Sequence, residues 1–146
     1  MLTKFNGYFV LFVFLSLLII SCSISRHSKS SVELAMKYYD HLIQRSNADS
    51  ISLLYAPDGN LGDIAFGRDS IRNFLSSFKK VRVLSQVSTT QSIVMLHDTA
   101  LQKGSYRQSD ILSEKDTVHV KGEYFARWEW MNKSWHIKKM TTKPIR

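Results

Sequence analysis

The sequence predicts an α+β domain in which helices pack on one face of an antiparallel sheet. Apolar residues recur at helical spacing in three stretches up to Phe78, and at every second position from Val81 onward. Helices followed by a run of strands are the order expected when the helices are segregated to one face of a sheet. A separate apolar run near the N-terminus, residues 8–20, belongs to neither half of this pattern.

Three amphipathic helices are predicted in the first half of the chain, over residues 32–43, 48–55 and 69–78. Ser30 and Glu33 have the spacing of a capping box, which predicts that the first helix begins near Val32. Asn47 is a suitable N-cap for the second helix, and Pro57 ends it.

The remaining elements are extended. Residues 56–67, between the second and third helices, favour at most two short extended pieces, with Asp58 in a turn. Residues 92–108 predict strand, turn and strand, and residues 117–131 alternate most clearly. The sequence MNKS then predicts a hairpin turn, after which Trp135 and Ile137 lie on one side of a returning strand. The second half of the chain therefore predicts a meander of antiparallel strands.

The apolar run of residues 8–20 is too short to cross a membrane as a helix, which takes about 20 residues. It fits the core of a secretory signal peptide, about 7 to 15 apolar residues behind a positive start, here Lys4 and the α-amino group. An uncleaved N-terminal anchor is the alternative. The sequence Ile19-Ile20-Ser21-Cys22 resembles the bacterial lipobox. That resemblance implies cleavage before Cys22 and acylation of its thiol with chains such as palmitate.

Two or more acyl chains hold a protein firmly in a bilayer, since each buried CH₂ contributes about 0.8 kcal/mol. A buried or chance cysteine is the alternative reading of Cys22. The sequence therefore predicts a signal peptide over residues 1–21, a polar tether over 22–31 and one domain over 32–143. The domain is expected outside the cytoplasm of a bacterium, on the periplasmic side of the cell envelope.

Composition limits the classes of function. The formal net charge is +8 and becomes +7 without residues 1–21, because Lys4 is their only charged side chain. A basic surface could suit nucleic acid, but for an exported lipoprotein we expect attraction to anionic lipid headgroups, or solubility alone. The five histidines are scattered without paired ligand spacing, so no metal or other cofactor is predicted. Neither a nucleophile elbow nor a glycine-rich phosphate loop is present in the sequence.

Four segments together resemble the SnoaL-like branch of the nuclear transport factor 2-like superfamily. They are NADSISLLYAPDG, GRDSIRNFL, DTALQKGSY and GEYFARWEWMNKSWHIKKM, and the similarity covers about residues 32–142. The resemblance implies a cone: three N-terminal helices packed on a strongly curved antiparallel sheet, with a deep pocket between them. Members of this family include isomerases, cyclases and dehydratases, as well as binding or accessory domains.

The same resemblance suggests two catalytic candidates. Alignment with the steroid isomerase relatives places Tyr39 at the position of an oxyanion donor and Asp63 at the position of the proton shuttle. The acid that these enzymes carry on a late strand falls at Ala126, which donates no hydrogen bond. Loss of one such donor typically costs about 10²- to 10³-fold in rate. Tyr39 could instead belong to the core, and Asp63 to a turn.

Two functions follow as expectations. The first is a non-enzymatic domain that binds a small apolar ligand or serves as an accessory module. The alternative is a SnoaL-like isomerase, cyclase or lyase with Asp63 as general base and Tyr39 as oxyanion donor. A homodimer through the outer face of the sheet is a further possibility. The residues expected to line the pocket are Tyr39, Tyr55, Asp63, Phe66, Tyr106 and Trp128.

Overall fold

The computed structural model describes residues 27–78, 80–113 and 116–145. The predicted signal peptide, Cys22 and the first part of the predicted tether lie outside these ranges. None of the helices in the described ranges is long and apolar enough to cross a membrane. The elements in chain order are α1 (Lys29–Gln44), α2 (Ala48–Leu54), β1 (Tyr55–Leu61), β2 (Ala65–Phe66), α3 (Gly67–Ser76), β3 (Arg82–Leu96), β4 (Thr99–Ser113), β5 (Asp116–Met131) and β6 (Ser134–Pro144).

Helix α1 begins three residues earlier than the capping pattern predicts. Its N-cap is Ser28, whose hydroxyl accepts a hydrogen bond from the Ser31 N–H at 3.2 Å. The Ser31 hydroxyl accepts in return from the Ser28 N–H at 3.3 Å, which completes a capping box. This reciprocal pair satisfies helix donors in the way predicted for Ser30 and Glu33, two residues earlier in the chain. Residues 29–31 are therefore helical and not part of a tether.

The segment before α1 is held against the end of the β5–β6 hairpin. The His27 ring packs on Trp130 and Trp135, with ring centroids 4.5 and 5.4 Å away. His27 Nε2 also lies 2.9 Å from a carboxylate oxygen of Asp98, in the turn between β3 and β4. Trp135 Nε1 donates to the Ser31 hydroxyl at 2.8 Å. The contacts of the chain with the domain therefore include His27, five residues after Cys22.

The other two helices lie close to their predicted positions. The Asn47 side chain caps α2 as predicted, accepting from the Ser50 N–H at 2.9 Å. Helix α2 ends at Leu54, one residue before the predicted end, because Tyr55 is already paired with Ile137 of β6. Helix α3 begins at Gly67, two residues before the predicted start.

The six strands form one sheet in the order β2-β1-β6-β5-β4-β3. The pairs β3–β4, β4–β5 and β5–β6 are antiparallel, as the sequence predicts. Strands β1 and β2 are the two short extended pieces predicted between the second and third helices, and they pair antiparallel with each other. β1 pairs parallel with β6, a pairing that the sequence did not predict. Asp58 lies within β1 and not in a turn.

The long strands curve around α1. The β3–β4 ladder shifts register twice, between Val83 and Ser85 and between Thr90 and Ser92. Such bulges bend a strand and increase its twist. The inner face of the curved sheet carries the core, in which Val32, Ile71, Trp128 and Ile137 have no exposed surface. The sheet leaves a hollow beside α1 at the end where β3 begins and β4 ends.

Candidate functional site

A hollow opens where α1 passes into α2. This outer chamber has a volume of about 780 Å³ and is bounded by four parts of the chain. They are the α1–α2 junction between Ile43 and Ile51, the end of α3 with Phe78, the start of β3 with Val81 and Val83, and the end of β4 with Gln108, Asp110 and Leu112. The chamber is therefore formed by irregular ends of elements, which sequence periodicity describes least well.

A smaller chamber lies deeper between the helices and the sheet. This inner chamber has a volume of about 200 Å³, and the side chains of Tyr39, Tyr106 and Tyr124 line it. Ile43, Leu75 and Gln108 line both chambers, so the two are neighbours along one cleft. Tyr39 and Tyr106, two of the predicted pocket residues, both line this inner chamber.

The phenols of the inner chamber are neutral hydrogen-bond donors. Burial raises the pKa of Tyr39 to about 12, against the lowering effect of its contact with the Tyr55 hydroxyl. Burial also raises the pKa of Tyr106 and of Tyr124. A neutral phenol can donate one hydrogen bond to a carbonyl or hydroxyl oxygen of a ligand. The inner chamber therefore combines apolar walls with a few polar groups, as small-molecule sites do.

Two glycines position two of these tyrosines. The strand register places Gly104 opposite Tyr124, and Tyr106 opposite Gly122. A Cβ added at Gly104 would lie 2.6 Å from the Tyr124 ring, and one added at Gly122 would lie 2.6 Å from the Tyr106 ring. Each ring therefore lies over a glycine of the facing strand. The sequence signal is a pair of Gly-X-Tyr triplets at 104–106 and 122–124, which antiparallel pairing brings into this reciprocal arrangement.

Asp110, which was not among the residues predicted from the sequence, is a buried carboxylate that lines the outer chamber. Asp110 is 7% exposed, and Gln108 Nε2 lies 2.9 Å from both of its carboxylate oxygens. No described cationic side chain forms an ion pair with it. Tyr106, Gln108 and Asp110 alternate along β4 on the inner face of the sheet. This period-two pattern, with polar residues on an inward face, is the signal that could have identified the site.

The structure separates Asp63 from the cleft, so its predicted place in the pocket is wrong. Asp63 occupies a turn with a positive φ of 59°, and its side chain is 70% exposed. Its carboxylate accepts from Lys139 Nζ at 3.1 Å and from the Asn60 amide at 3.3 Å. The hydrogen bond from Lys139 lowers the pKa of Asp63. The pair expected in one cavity, Tyr39 and Asp63, therefore does not share one.

Three more predicted pocket residues do not line the cleft. Phe66 is 61% exposed at the end of β2. Trp128 is fully buried in the core, where its Nε1 donates to Gln102 Oε1 at 2.8 Å. Tyr55 is also fully buried, and burial raises its pKa well above the usual value. Its hydroxyl faces Tyr39 but has no hydrogen bond of ordinary geometry with any described residue.

Within the described ranges, no three His, Cys, Asp or Glu side chains converge on a point where a metal ion could bind. The titratable groups that line the outer chamber there are Arg45, Asp49 and Asp110. The inner chamber is lined by phenols, amides, hydroxyls and apolar side chains, with no carboxylate, imidazole or amine from the described residues.

Comparison with known proteins identifies the fold. No protein-family model matches the chain, and no curated protein matches it. The structure is similar to a ketosteroid isomerase-like protein from Erwinia carotovora atroseptica SCRI1043, with a TM-score of 0.70 and 17% identity over 80% of this chain and 95% of that chain.

Two further solved structures agree. One is a nuclear transport factor 2-like protein from Cytophaga hutchinsonii ATCC 33406, with a TM-score of 0.66 and 17% identity over 82% of this chain and 100% of that chain. The other is a scytalone dehydratase candidate from Novosphingobium aromaticivorans DSM 12444, with a TM-score of 0.68 and 14% identity over 80% and 83% of the two chains. These likenesses show the nuclear transport factor 2-like fold, and they confirm the predicted α+β class.

Proposed function

We propose that this protein is a lipid-anchored binding or accessory domain whose cleft holds a small, largely apolar molecule without transforming it. The observation that carries this proposal is the cleft itself. Its outer chamber of about 780 Å³ falls in the range of about 300 to 1,000 Å³ that small-molecule sites occupy. Apolar side chains such as Ile43, Leu75 and Phe78 form much of its wall, and the three phenols at its inner end supply directional hydrogen bonds.

Binding is favoured over catalysis by what occupies the two positions where the steroid isomerase relatives carry acids. An isomerase, cyclase or lyase that used Asp63 as general base would need that carboxylate within hydrogen-bond reach of a ligand. Asp63 instead lies on the surface, paired with Lys139. Ala126, at the position of the late-strand acid, is fully buried and offers no donor. Tyr39 alone remains of the catalytic set that the resemblance suggested.

The anchor rests on the sequence of residues 1–22. We propose that signal peptidase cleaves before Cys22 and that acyl chains on Cys22 hold the domain at the bilayer, facing the periplasm. A Cys22→Ser variant should then leave the membrane fraction and should not incorporate labelled palmitate, whereas wild type should do both. A membrane-bound, unlabelled wild type whose N-terminus is still Met1 would contradict the proposal and favour an uncleaved anchor.

Native mass spectrometry of the protein purified from its own membrane tests the binding function. We expect a noncovalent mass increment that disappears when the protein unfolds. Leu75→Trp should remove it, because Leu75 lines both chambers and the larger ring would fill their junction. Leu53→Trp is the matched control, since Leu53 is exposed on α2 and lies outside the cleft. Wild type without any increment, or an increment that both variants keep, would contradict binding in this cleft.

A homodimer through the outer face of the sheet is a second proposal. The strand register places Val94, Leu101 and Phe125 near one another on that face, where Val94 and Phe125 are exposed. Exposed apolar patches commonly mark interfaces between proteins. Sedimentation of the mature protein in detergent should give a dimer that Phe125→Glu dissociates. A wild-type monomer at tens of micromolar would exclude this role.

A further inference from the structure

Asp110 has the environment of a ligand-binding carboxylate. It is 7% exposed, and the hydrogen bonds that it receives from described residues all come from Gln108 Nε2. Burial of a carboxylate is unfavourable unless the charge is paired or fully hydrogen-bonded. A single neutral amide group satisfies a small part of the capacity of two carboxylate oxygens, which together accept about four hydrogen bonds.

The hydrogen bond from Gln108 does not give Asp110 a structural role. Both residues belong to β4 and are two positions apart, so their contact joins no two elements of the fold. Among the described residues, no cationic side chain forms an ion pair with the carboxylate of Asp110. Arg45 lines the same chamber, but no ion pair joins it to Asp110 in the described part of the chain. The described lining of the outer chamber carries two acids, Asp49 and Asp110, and one base.

This acidic lining contrasts with the rest of the molecule. The whole chain carries a formal net charge of +8, yet the described charged groups around the outer chamber sum to −1. A buried anion in a chamber with apolar walls is the complement of a cation attached to an apolar body. A charge-assisted hydrogen bond from such a cation would be about twice as strong as a neutral one.

We propose that the cleft selects amphipathic amines, with the protonated amine at Asp110 and the apolar body directed past Gln108 towards the inner chamber. This inference rests on the binding function proposed above and adds the chemical class of the ligand. Asp110 and Tyr106 are four residues apart on one face of β4, which is roughly 13 Å of strand. An elongated body of about this length would place its far end among the phenols of the inner chamber.

The test compares three probes with one skeleton: 4-phenylbutylamine, 4-phenylbutanol and 4-phenylbutyric acid. They are titrated calorimetrically against the full-length mature protein in phosphatidylcholine nanodiscs, with empty nanodiscs as the blank. Zwitterionic lipid is chosen because anionic lipid would itself attract the amine. We expect the amine to bind about tenfold or more tightly than the alcohol, as a hydrogen bond to a charged group predicts, and the acid to bind most weakly.

Asp110→Asn keeps the shape of the side chain and removes its charge. It should weaken binding of the amine about tenfold or more and leave the alcohol within about twofold. Asp69→Asn is the matched control, because Asp69 lies on α3 outside both chambers and its side chain is 88% exposed. It should leave both affinities unchanged.

The outcomes separate this inference from the proposed function. Equal binding of amine and alcohol by wild type, or tightest binding of the acid, would overturn the inference while the cleft remained a binding site. This comparison needs no variant, so it stands even if Asp110→Asn fails to fold. Unchanged amine affinity in folded Asp110→Asn would also overturn it. If none of the probes binds wild type and Leu75→Trp retains the native mass increment, the proposed function fails as well.

Discussion

Asp40 and Asp110 are buried to the same degree, but they differ in the number and origin of their hydrogen-bond donors. Both are 7% exposed. The Asp40 carboxylate, on α1, accepts from the Ser88 N–H and hydroxyl at 2.7 Å each and from Gln86 Nε2 at 3.3 Å. Asp110 accepts from Gln108 Nε2 within the described chain. Burial alone therefore does not reveal the role of an acidic residue; the number and origin of its donors do.

The donors of Asp40 come from another element, which gives that residue a structural role. All three belong to β3, so the carboxylate joins α1 to the sheet. Gln44, one helical turn further along α1, adds a hydrogen bond from its Nε2 to the Gln86 carbonyl at 2.8 Å. This helix–strand contact borders the inner chamber, which Gln86 and Ser88 line. The same amide substitution at the two aspartates can separate structure from binding.

Asp40→Asn should give the largest loss of stability, about 2 to 3 kcal/mol. An asparagine retains one oxygen acceptor, but its NH₂ group would face donors of β3 and leave at least one of them buried and unpaired. Urea unfolding of the mature protein measures the change. A loss below about 1 kcal/mol would mean that the network with Ser88 and Gln86 is not what holds α1 on the sheet.

Gly122→Ala extends the comparison to the wall of the cleft, and we expect a loss of about 2 kcal/mol. The added methyl group would lie 2.5 Å from the Lys143 carbonyl oxygen and 2.6 Å from the Tyr106 ring, so the ring must move. Gly59→Ala is not a matched control, because a Cβ there would meet the Ala56 and Ile137 carbonyl oxygens and the Tyr55 Cβ instead of a tyrosine ring of the cleft. Unfolding midpoints together with ligand mass increments measure the effect. Unchanged stability would show that the ring moves freely and that Gly122 does not set its position.

Asp110→Asn should change the free energy of unfolding by less than about 1 kcal/mol. One interaction with Gln108 is altered, and that amide can rotate to present its oxygen to the new NH₂ group. Removal of a buried charge also offsets part of the loss. If unfolding in urea shows a loss as large as that of Asp40→Asn, the difference between the two carboxylates disappears, and with it the case for a ligand at Asp110.

The pH dependence of stability should show that the Tyr39 hydroxyl is shielded from water, with a smaller and more gradual effect. Burial raises the pKa of Tyr39 from the ordinary 10.0 of a tyrosine to about 12 in the folded protein. Ionisation of the Tyr39 hydroxyl therefore favours the unfolded chain. The stabilising contribution of Tyr39 is complete below pH 10 and is lost as the pH rises from 10 towards 12. Tyr39→Phe should make the decline in urea midpoint shallower without abolishing it, because Tyr55 has a raised pKa as well. Identical slopes would indicate that water reaches the Tyr39 hydroxyl.

The sequence predicted the fold better than its details, for physical reasons. Alternation in residues 117–131 correctly placed Tyr124, Ala126 and Trp128 on the buried face, because a half-buried strand imposes period two on its own sequence. The parallel pairing of β1 with β6 left no such trace. Residues 55–61 contain Pro57, Asp58 and Gly59, so their extended conformation depends on the neighbouring strand and not on local preference.

Part of the candidate site divides along the same line, although Trp128, in the regular strand β5, lies in the core and not in the cleft. Tyr39 and Tyr106 lie in regular elements, where position along a helix stripe or strand face predicts the direction of the side chain, and both line the cleft. Asp63 and Phe66 lie in or beside a turn, where no period predicts direction, and both face water. The even spacing between Tyr106 and Asp110 along β4 predicts that both side chains lie on the same face of the sheet. The family positions that suggested Tyr39 and Asp63 did not point to Asp110.

The attachment of His27 sets how far a lipid-anchored domain could lie from its membrane. His27 is five residues after Cys22, and this segment spans at most about 18 Å when fully extended. Helix α1 then continues for 16 residues, about 24 Å, to the junction that borders the outer chamber. If Cys22 is acylated as proposed, the His27 end of α1 stays within that short reach of the lipid headgroups, and the outer chamber lies at the opposite end of the helix.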